Sequence, residues 1–344
     1  MSTQNTQNKQ YAALGQGQPL TTQTSAKPAL EAADEVLIRV RAVAINPADY
    51  KMVGQGQRGT VWPLVPGLDG AGVVEAVGAD VRRFAVGDRV LAMFSPAANR
   101  TASYQTHAVL REQKVARIPD AWSFEEAAGL ATCYMTAVVG LGLGLAMPLP
   151  FLTDSSPNTF QPSSVLVVGG SSALGAATLQ LLRLALPPST IILATSSPKH
   201  HSHLVSALGA TAALDRNSPE LAAQARAACP GGRGVDAIVD AVGGADAAVF
   251  DALDPAGPRR YAQVWTGGAE IDAPAGVDSV LFRGRDLPRV HGAADLVTAL
   301  QRLLEQGAYK LPLPVSLVGH GVDGLQRGLE LMRRSVSGEK LVVT

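Results

Sequence analysis

The chain has 344 residues, enough for about two domains at ~150 residues each. Its 29 lysines and arginines balance 29 aspartates and glutamates, and this excludes nucleic acid as a partner, because phosphate binding needs a cationic surplus. Apolar residues at 47% with 35 glycines fit a compact α/β protein rather than a disordered chain, and two cysteines, Cys133 and Cys229, exclude a disulfide framework or a Cys-rich zinc site and point to a reducing, cytoplasmic compartment.

The first thirty residues are rich in Gln and Thr, without the basic start or apolar stretch of a secretory signal, and read as a mobile lead-in. From Glu35 to Ile45 the pattern EVLIRVRAVAI alternates apolar with polar or small residues; GAGVVEAVGADV and VGDRVLAMF repeat that character, giving an all-β block up to about Ile118. Ser123 then stands three residues before Glu126, a capping-box spacing that starts an apolar helix. The stretch Ala127–Thr153 carries no charge and exceeds the ~20 residues that span a bilayer. Gly129, Gly140, Gly142, Gly144, Pro148 and Pro150 interrupt it and no Lys or Arg cluster flanks it, so it reads as a buried inter-domain helix and an apolar loop, with no membrane span.

From Ser164 strands of nearly unbroken Val, Ile and Leu alternate with helices, the texture of a parallel doubly wound sheet buried on both faces. An amphipathic helix, GVDGLQRGLELMRRSV, and a closing strand, LVVT, follow and return to the first block.

The turn after VLVV places Gly169, Gly170, Ser171 and Ser172 before a helix whose first amides face an anion, and Gly175 keeps helix and strand close. The strict G-x-G-x-x-G spelling is not met. The next strand ends in Thr195, Ser196, Ser197, Pro198 and Lys199 rather than in the carboxylate that binds a free ribose, and hydroxyls plus a cation fit a 2′-phosphate, hence NADPH. His200, His201 and His203 lack metal-ligand spacing and a companion acid or thiolate, so they read as a solvated or phosphate-facing cluster. Gly169, Ser171 and Ala173 miss the final glycine of G-x-S-x-G, which excludes a serine hydrolase elbow.

AINPADYK (44–51), VPGLDGAGVVEAVG (65–78), FAVGDRV (84–90), the phosphate loop and SGEKLVV (337–343) together resemble the medium-chain dehydrogenase/reductase superfamily. INPADYK, GGSSALG and TSSPKHHSHLVSALGA are most similar to fungal trans-acting enoyl reductases that serve highly reducing polyketide synthases. The resemblance implies an α/β architecture: a GroES-like β-barrel domain (1–135 and 305–344) with an inserted Rossmann domain (136–304).

It also implies no zinc. Asn46 stands where zinc-dependent relatives carry a cysteine, and Gly67-Leu68-Asp69 where they carry Gly-His-Glu. Conjugate reduction of an enoyl thioester, whether carrier-bound or free, proceeds with hydrogen-bond donors alone. By the same matching Lys51 and Thr136 stand near the nicotinamide, with Asn46 beside them. Gly170, Ser171 and Ser172 hold the pyrophosphate, Ser196 and Lys199 the 2′-phosphate, and Val242, Gly243 and Val264 border the nicotinamide; Ser197 and Lys340 join the cofactor set. Asp215 and Arg216 replace the Asp-Tyr of relatives, and Arg216 is taken to meet adenine or phosphate. A quinone or alkenal reductase, and an NADPH-binding fold member with a non-redox role, are the competing readings. Charged residues within Arg259–Ile271 discourage pairing at the sheet edge and favour a monomer.

Overall fold

The computed structural model describes residues 7–57, 60–153 and 156–344. Residues 7–26 form a hairpin, β1 (Gln7–Ala13) and β2 (Leu20–Ala26), where the sequence suggested a mobile lead-in; residues 1–6 of that lead-in lie outside the described residues. Ala12, Ala13 and Leu20 are buried while Leu14 is exposed, and Gln105 accepts from Asn8 and Gln10. Polar side chains thus dock the hairpin where apolar periodicity is too weak to show.

The first block follows as β3 (Glu35–Ala44), α1 (Pro47–Gln55), β4 (Asp69–Val77), β5 (Arg89–Met93), β6 (His107–Arg111) and β7 (Val115–Arg117). Within this otherwise β region α1 is a helix, started by Pro47 at its first turn and by the Asp49 carboxylate, which accepts from the Asn46 amide at 2.8 Å. Two helices come next, α2 (Phe124–Ala128) and α3 (Ala131–Val139). The capping box at Ser123 and Glu126 is present, with bonds of 3.1 and 2.8 Å.

The second sheet is built from β8 (Ser164–Val168), β9 (Ile191–Ser196), β10 (Ala212–Asp215), β11 (Ala237–Asp240), β12 (Arg260–Val264) and β13 (Asp278–Phe282), with α4 (Ala173–Ala185), α5 (His201–Ser206) and α6 (Leu221–Ala227) between its strands. All pairs are parallel in the order β10-β9-β8-β11-β12-β13, the doubly wound arrangement. Sequence patterning passed over β13, a short strand opened by an aspartate. It makes β12 an interior strand, so Arg259–Ile271 is not the sheet edge; Arg260 instead faces Asp278 across the β12–β13 pair at 3.7 Å.

After α7 (Leu296–Glu305) the chain returns to the first sheet as β14 (Val315–Leu317), α8 (Gly321–Arg333) and β15 (Lys340–Val343). That sheet is ordered β14-β15-β3-β4-β5-β7, with β6 also on β3. Helix α3 crosses the boundary expected at residue 136, and the first strand of the second sheet begins only at Ser164.

The apolar run Phe124–Gly144 is long and apolar enough to cross a membrane, yet 72% of its window is buried inside the fold. It shares one buried apolar cluster with Ala42, Ala71 and Leu91 of the first sheet and Val165 and Ala262 of the second. Phe282 lies over Gly140 at a spacing that admits no side chain there. Replacing Ser123 by Ala removes the bond to the Glu126 amide and is expected to lower stability by about 1 kcal/mol, read as a shift in denaturant midpoint at unchanged slope.

Candidate active site

In a doubly wound sheet, ligands bind beyond the carboxyl ends of the strands where the winding direction switches, here between β8 and β11. The loop leaving β8 is shaped for close approach: Gly169 has φ +77°, and its amide donates to Thr195 Oγ1 at 3.0 Å. A methyl group at Gly175 would collide with the Gly169 carbonyl. Ser172 caps α4 by accepting from the Gly175 amide at 3.0 Å, and Gly170 donates to the Thr195 carbonyl at 2.8 Å. Across the switch, Asp240 gathers the amides of Val242, Gly243 and Ala245 and the Tyr261 hydroxyl, fixing the loop after β11. Val242 lies against Gly169, and Gly243 against the Val264 carbonyl and Thr266. These loop residues therefore form one continuous rim.

Ser171 turns away from this rim. Its hydroxyl lies 3.0 Å from that of Ser337 and its carbonyl accepts from Gly338 at 2.9 Å, so the phosphate loop is tied to the segment that leads into β15. At the end of β9, Ser196 is buried and donates to the Ser197 carbonyl, whereas Lys199 and Arg216 are exposed, with the Arg216 amide on the Ser196 carbonyl.

The histidines are not a solvated cluster. His200 packs on Gly338, His203 Nε2 lies 3.0 Å from the Pro312 carbonyl, and the buried Nε2 atoms of His200 and His201 have no partner. They sit in the seam between the second sheet and the returning C-terminal segment. Burial, then Lys199, His203, Arg216 and His201, hold His200 below the ordinary imidazole range. Among the described residues no group of three or more His, Cys, Asp or Glu is placed to hold a metal ion.

Lys51 projects from α1 across to the second sheet, where its ammonium donates to the Thr266 carbonyl. Burial lowers its pKa, and an ammonium has two further protons to give. Beside this contact Gln57 packs on Gly267. Thr136 stands close to Gly284 on the α3 side, but its hydroxyl donates to the Thr132 carbonyl at 2.7 Å; toward a ligand it is an acceptor rather than the expected donor. On the other flank of α1 a cleft of about 360 Å³ opens, walled by Met52, Leu64, Leu68, Pro63 and Ser95.

Residues 32–137 match the alcohol dehydrogenase GroES-like domain. The enoyl reductase component of the Aspergillus terreus lovastatin nonaketide synthase is 34% identical over 341 residues, spanning 90% of this chain and 89% of that protein. The chain belongs to the medium-chain dehydrogenase/reductase superfamily. A trans-enoyl reductase of a Pyrenochaetopsis species is 32% identical over 343 residues, covering 90% and 89% of the two chains. The crystal structure of the CurK enoyl reductase shares the fold, with a TM-score of 0.76 at 21% identity over 98% of this chain and 99% of that one.

Membership of the medium-chain dehydrogenases/reductases implies a nicotinamide cofactor, and the rim fits one: a glycine turn too tight for side chains, a helix N-terminus above it and two exposed cations beyond β9 and β10. Lys340 departs from its expected place in the cofactor set. It is 6% exposed and its ammonium points into the first domain, toward Asn46 Oδ1 at 2.7 Å, Asp69 Oδ2 at 3.3 Å and Cys133 Sγ at 3.8 Å. Asn46 likewise faces this interior, donating to Asp69 Oδ2 at 2.9 Å, and not the cleft. Sequence reading also passed over Asp69 and Asp49 as polar core residues; two acids placed three residues from Asn46 and beside a glycine turn carried no periodic signal.

In this medium-chain dehydrogenase/reductase Asp49 is fully buried, and burial raises its carboxyl to about 7 against the bond from the Asn46 amide. The folded state therefore holds an extra proton between the ordinary carboxyl pKa and about 7, and stability from this group falls as pH rises through that window. Asp49→Asn is expected to gain in melting temperature relative to the unaltered protein between about pH 4 and about pH 8, where parallel melting curves would show a constant difference if Asp49 did not titrate. Gly175→Ala is expected to weaken nicotinamide cofactor binding at least tenfold by pushing α4 from the loop, measured by nucleotide fluorescence.

Proposed function

We propose that this chain is an NADPH-dependent trans-acting enoyl reductase that reduces the α,β double bond of a polyketide acyl thioester. The observation that carries the reading is the Lys51 ammonium reaching from α1 to the Thr266 carbonyl, next to the Val242–Gly243 rim. Similarity to trans-enoyl reductases supports the choice of substrate, and a polyketide synthase is the partner it favours.

Gly169, Gly170 and the first turn of α4 would hold the pyrophosphate, and Lys199 and Arg216 would flank a 2′-phosphate, with Ser197 at the turn between them. Bound there, the reduced nicotinamide supplies a hydride to the β-carbon of the acyl chain. The protein's task is then to meet negative charge developing on the thioester oxygen. Lys51 provides it: two ammonium protons remain free of Thr266, and the lowered pKa eases release of a proton toward the α-carbon, directly or through a held water. Thr136, whose hydroxyl proton is taken by the Thr132 carbonyl, would accept from a ribose or substrate hydroxyl. The cleft beside α1, walled in part by Met52, Leu64 and Leu68, offers room for an acyl chain. A single chain acting in the cytoplasm completes the proposal; both cysteines are buried and unpaired, as a reducing compartment allows.

The test is loss of nicotinamide absorbance with a long-chain enoyl pantetheine thioester, a quinone and buffer alone, each with NADPH and with NADH. Oxidation of NADPH on the thioester is expected; turnover on the quinone alone would replace the reading with a quinone reductase, and nucleotide binding without oxidation would favour a non-redox role. Lys51→Met should reduce kcat about a hundredfold without abolishing it, since solvent still supplies protons. Lys199→Ala with Arg216→Ala should raise the KM for NADPH at least tenfold and leave that for NADH unchanged; equal effects on both would remove the 2′-phosphate assignment.

A further inference from the structure

Lys340 is the one lysine whose ammonium is wholly enclosed by the polar atoms of other elements. It leaves β15 with its stem lying over Gly129, at a distance that would not admit a side chain at that residue. Around the ammonium, the Asn46 carbonyl oxygen, an Asp69 carboxylate oxygen and the Cys133 sulfur converge. Burial opposes the charge, while Cys133, Asp69 and Asp49 favour it and together raise the pKa above the ordinary lysine value. An ion pair this deep contributes little net stability, because desolvation offsets the attraction; its worth lies in fixing geometry.

The geometry it fixes reaches both α1 and α3. Asn46 is the residue that caps α1, yet its side chain makes no capping bond: it is turned inward, accepting from Lys340 and donating to Asp69. Its amide donates to Asp49, which also accepts from the Tyr104 hydroxyl at 3.2 Å, so the start of α1 is held by this interior set. One turn further along α1 stands Lys51. The other Asp69 oxygen accepts from the Thr132 amide at 2.8 Å, in the first turn of α3, and Thr132 in turn takes the Thr136 hydroxyl on its carbonyl. A single cation thus stands behind the starts of both α1 and α3.

We propose that Lys340 is a positioning residue for the reaction: through Asn46 it sets the origin of α1 and hence Lys51, and through Asp69 the origin of α3 and hence Thr136. It touches neither cofactor nor substrate. The proposal rests on the enoyl reductase reading for its kinetic consequence, and on the hydrogen-bond geometry alone for its structural one.

The test compares Lys340→Met with Arg100→Met, which strips an equally charged partner from the buried Glu35 and bonds to neither Asn46 nor Asp69. Should Lys340→Met not fold, Lys340→Met with Asp69→Asn removes the orphaned charge and is measured in its place. Hydrogen exchange is expected to rise in the first turns of both α1 and α3 on loss of Lys340 and in neither on loss of Arg100. At matched melting temperature, kcat on the enoyl thioester should fall at least tenfold for the Lys340 variant with NADPH affinity within threefold, and stay within threefold for the Arg100 variant. Unchanged exchange in either helix, or kcat that falls equally in both variants, would overturn the proposal. Weakened NADPH binding at unchanged kcat would also overturn it and return Lys340 to the cofactor. If the unaltered protein reduces no enoyl thioester, the reading of function fails while the exchange data still decide the positioning role.

Discussion

An uncharged helix must be covered on every side, and in this protein that requirement joins two sheets that share no strand. Helix α3 carries no ionisable group other than Cys133 and Tyr134, and both are buried. The first sheet contributes Ala42, Ala71 and Leu91, small or branched residues, to the buried cluster that α3 belongs to. The second offers Ala262 and Phe282, the latter seated on the glycines of the turn after α3. Glycine is demanded there by packing against an aromatic ring, not by loop flexibility. Thr136 lies on the part of α3 left half-covered.

The site divides its labour between backbone and charge. The rim at the switch point is made almost wholly of amides, carbonyls and glycines, held by Asp240 from below and by Thr195 from the side. Such a surface recognises an anion by shape and oriented dipoles, and so requires no cationic surplus from the chain as a whole. Full charges are few and are separated by depth: Lys199 and Arg216 lie at the periphery, Lys51 reaches from α1 to the Thr266 carbonyl, and the Asp69 carboxylate is enclosed.

Much of this was legible in the residues. The unbroken apolar strands from Ser164 announced a parallel sheet, Ser123 and Glu126 marked a helix start, and the glycine turn before Ala173 marked the passage from strand to helix. What escaped shares one physical character. The hairpin at residues 7–26, strand β13 and helix α1 are held by contacts distant in sequence, so their own patterns are short or polar. Lys340 illustrates the limit at the site. A lysine before an apolar strand reads as exposed and available to a phosphate; only the fold shows that three elements converge on its ammonium. The histidines of the β9–α5 turn show the same effect, since their partners, Pro312 and Gly338, lie more than a hundred residues away.

The two halves of the protein also differ in when they can be finished. Every strand of the parallel sheet lies between Ser164 and Phe282, so that sheet is complete in a nascent chain well before β15 is made. The first sheet is not: β15 pairs with β3, and the bond from Lys340 to Asn46 joins residues 294 positions apart. Until that strand arrives, Asp69 lacks its cation and β3 lacks a neighbour, a pairing of high loop-closure cost that must wait for translation to pass the entire nucleotide-binding half. Order of synthesis therefore completes the parallel sheet first and the sheet that holds Asp69 last.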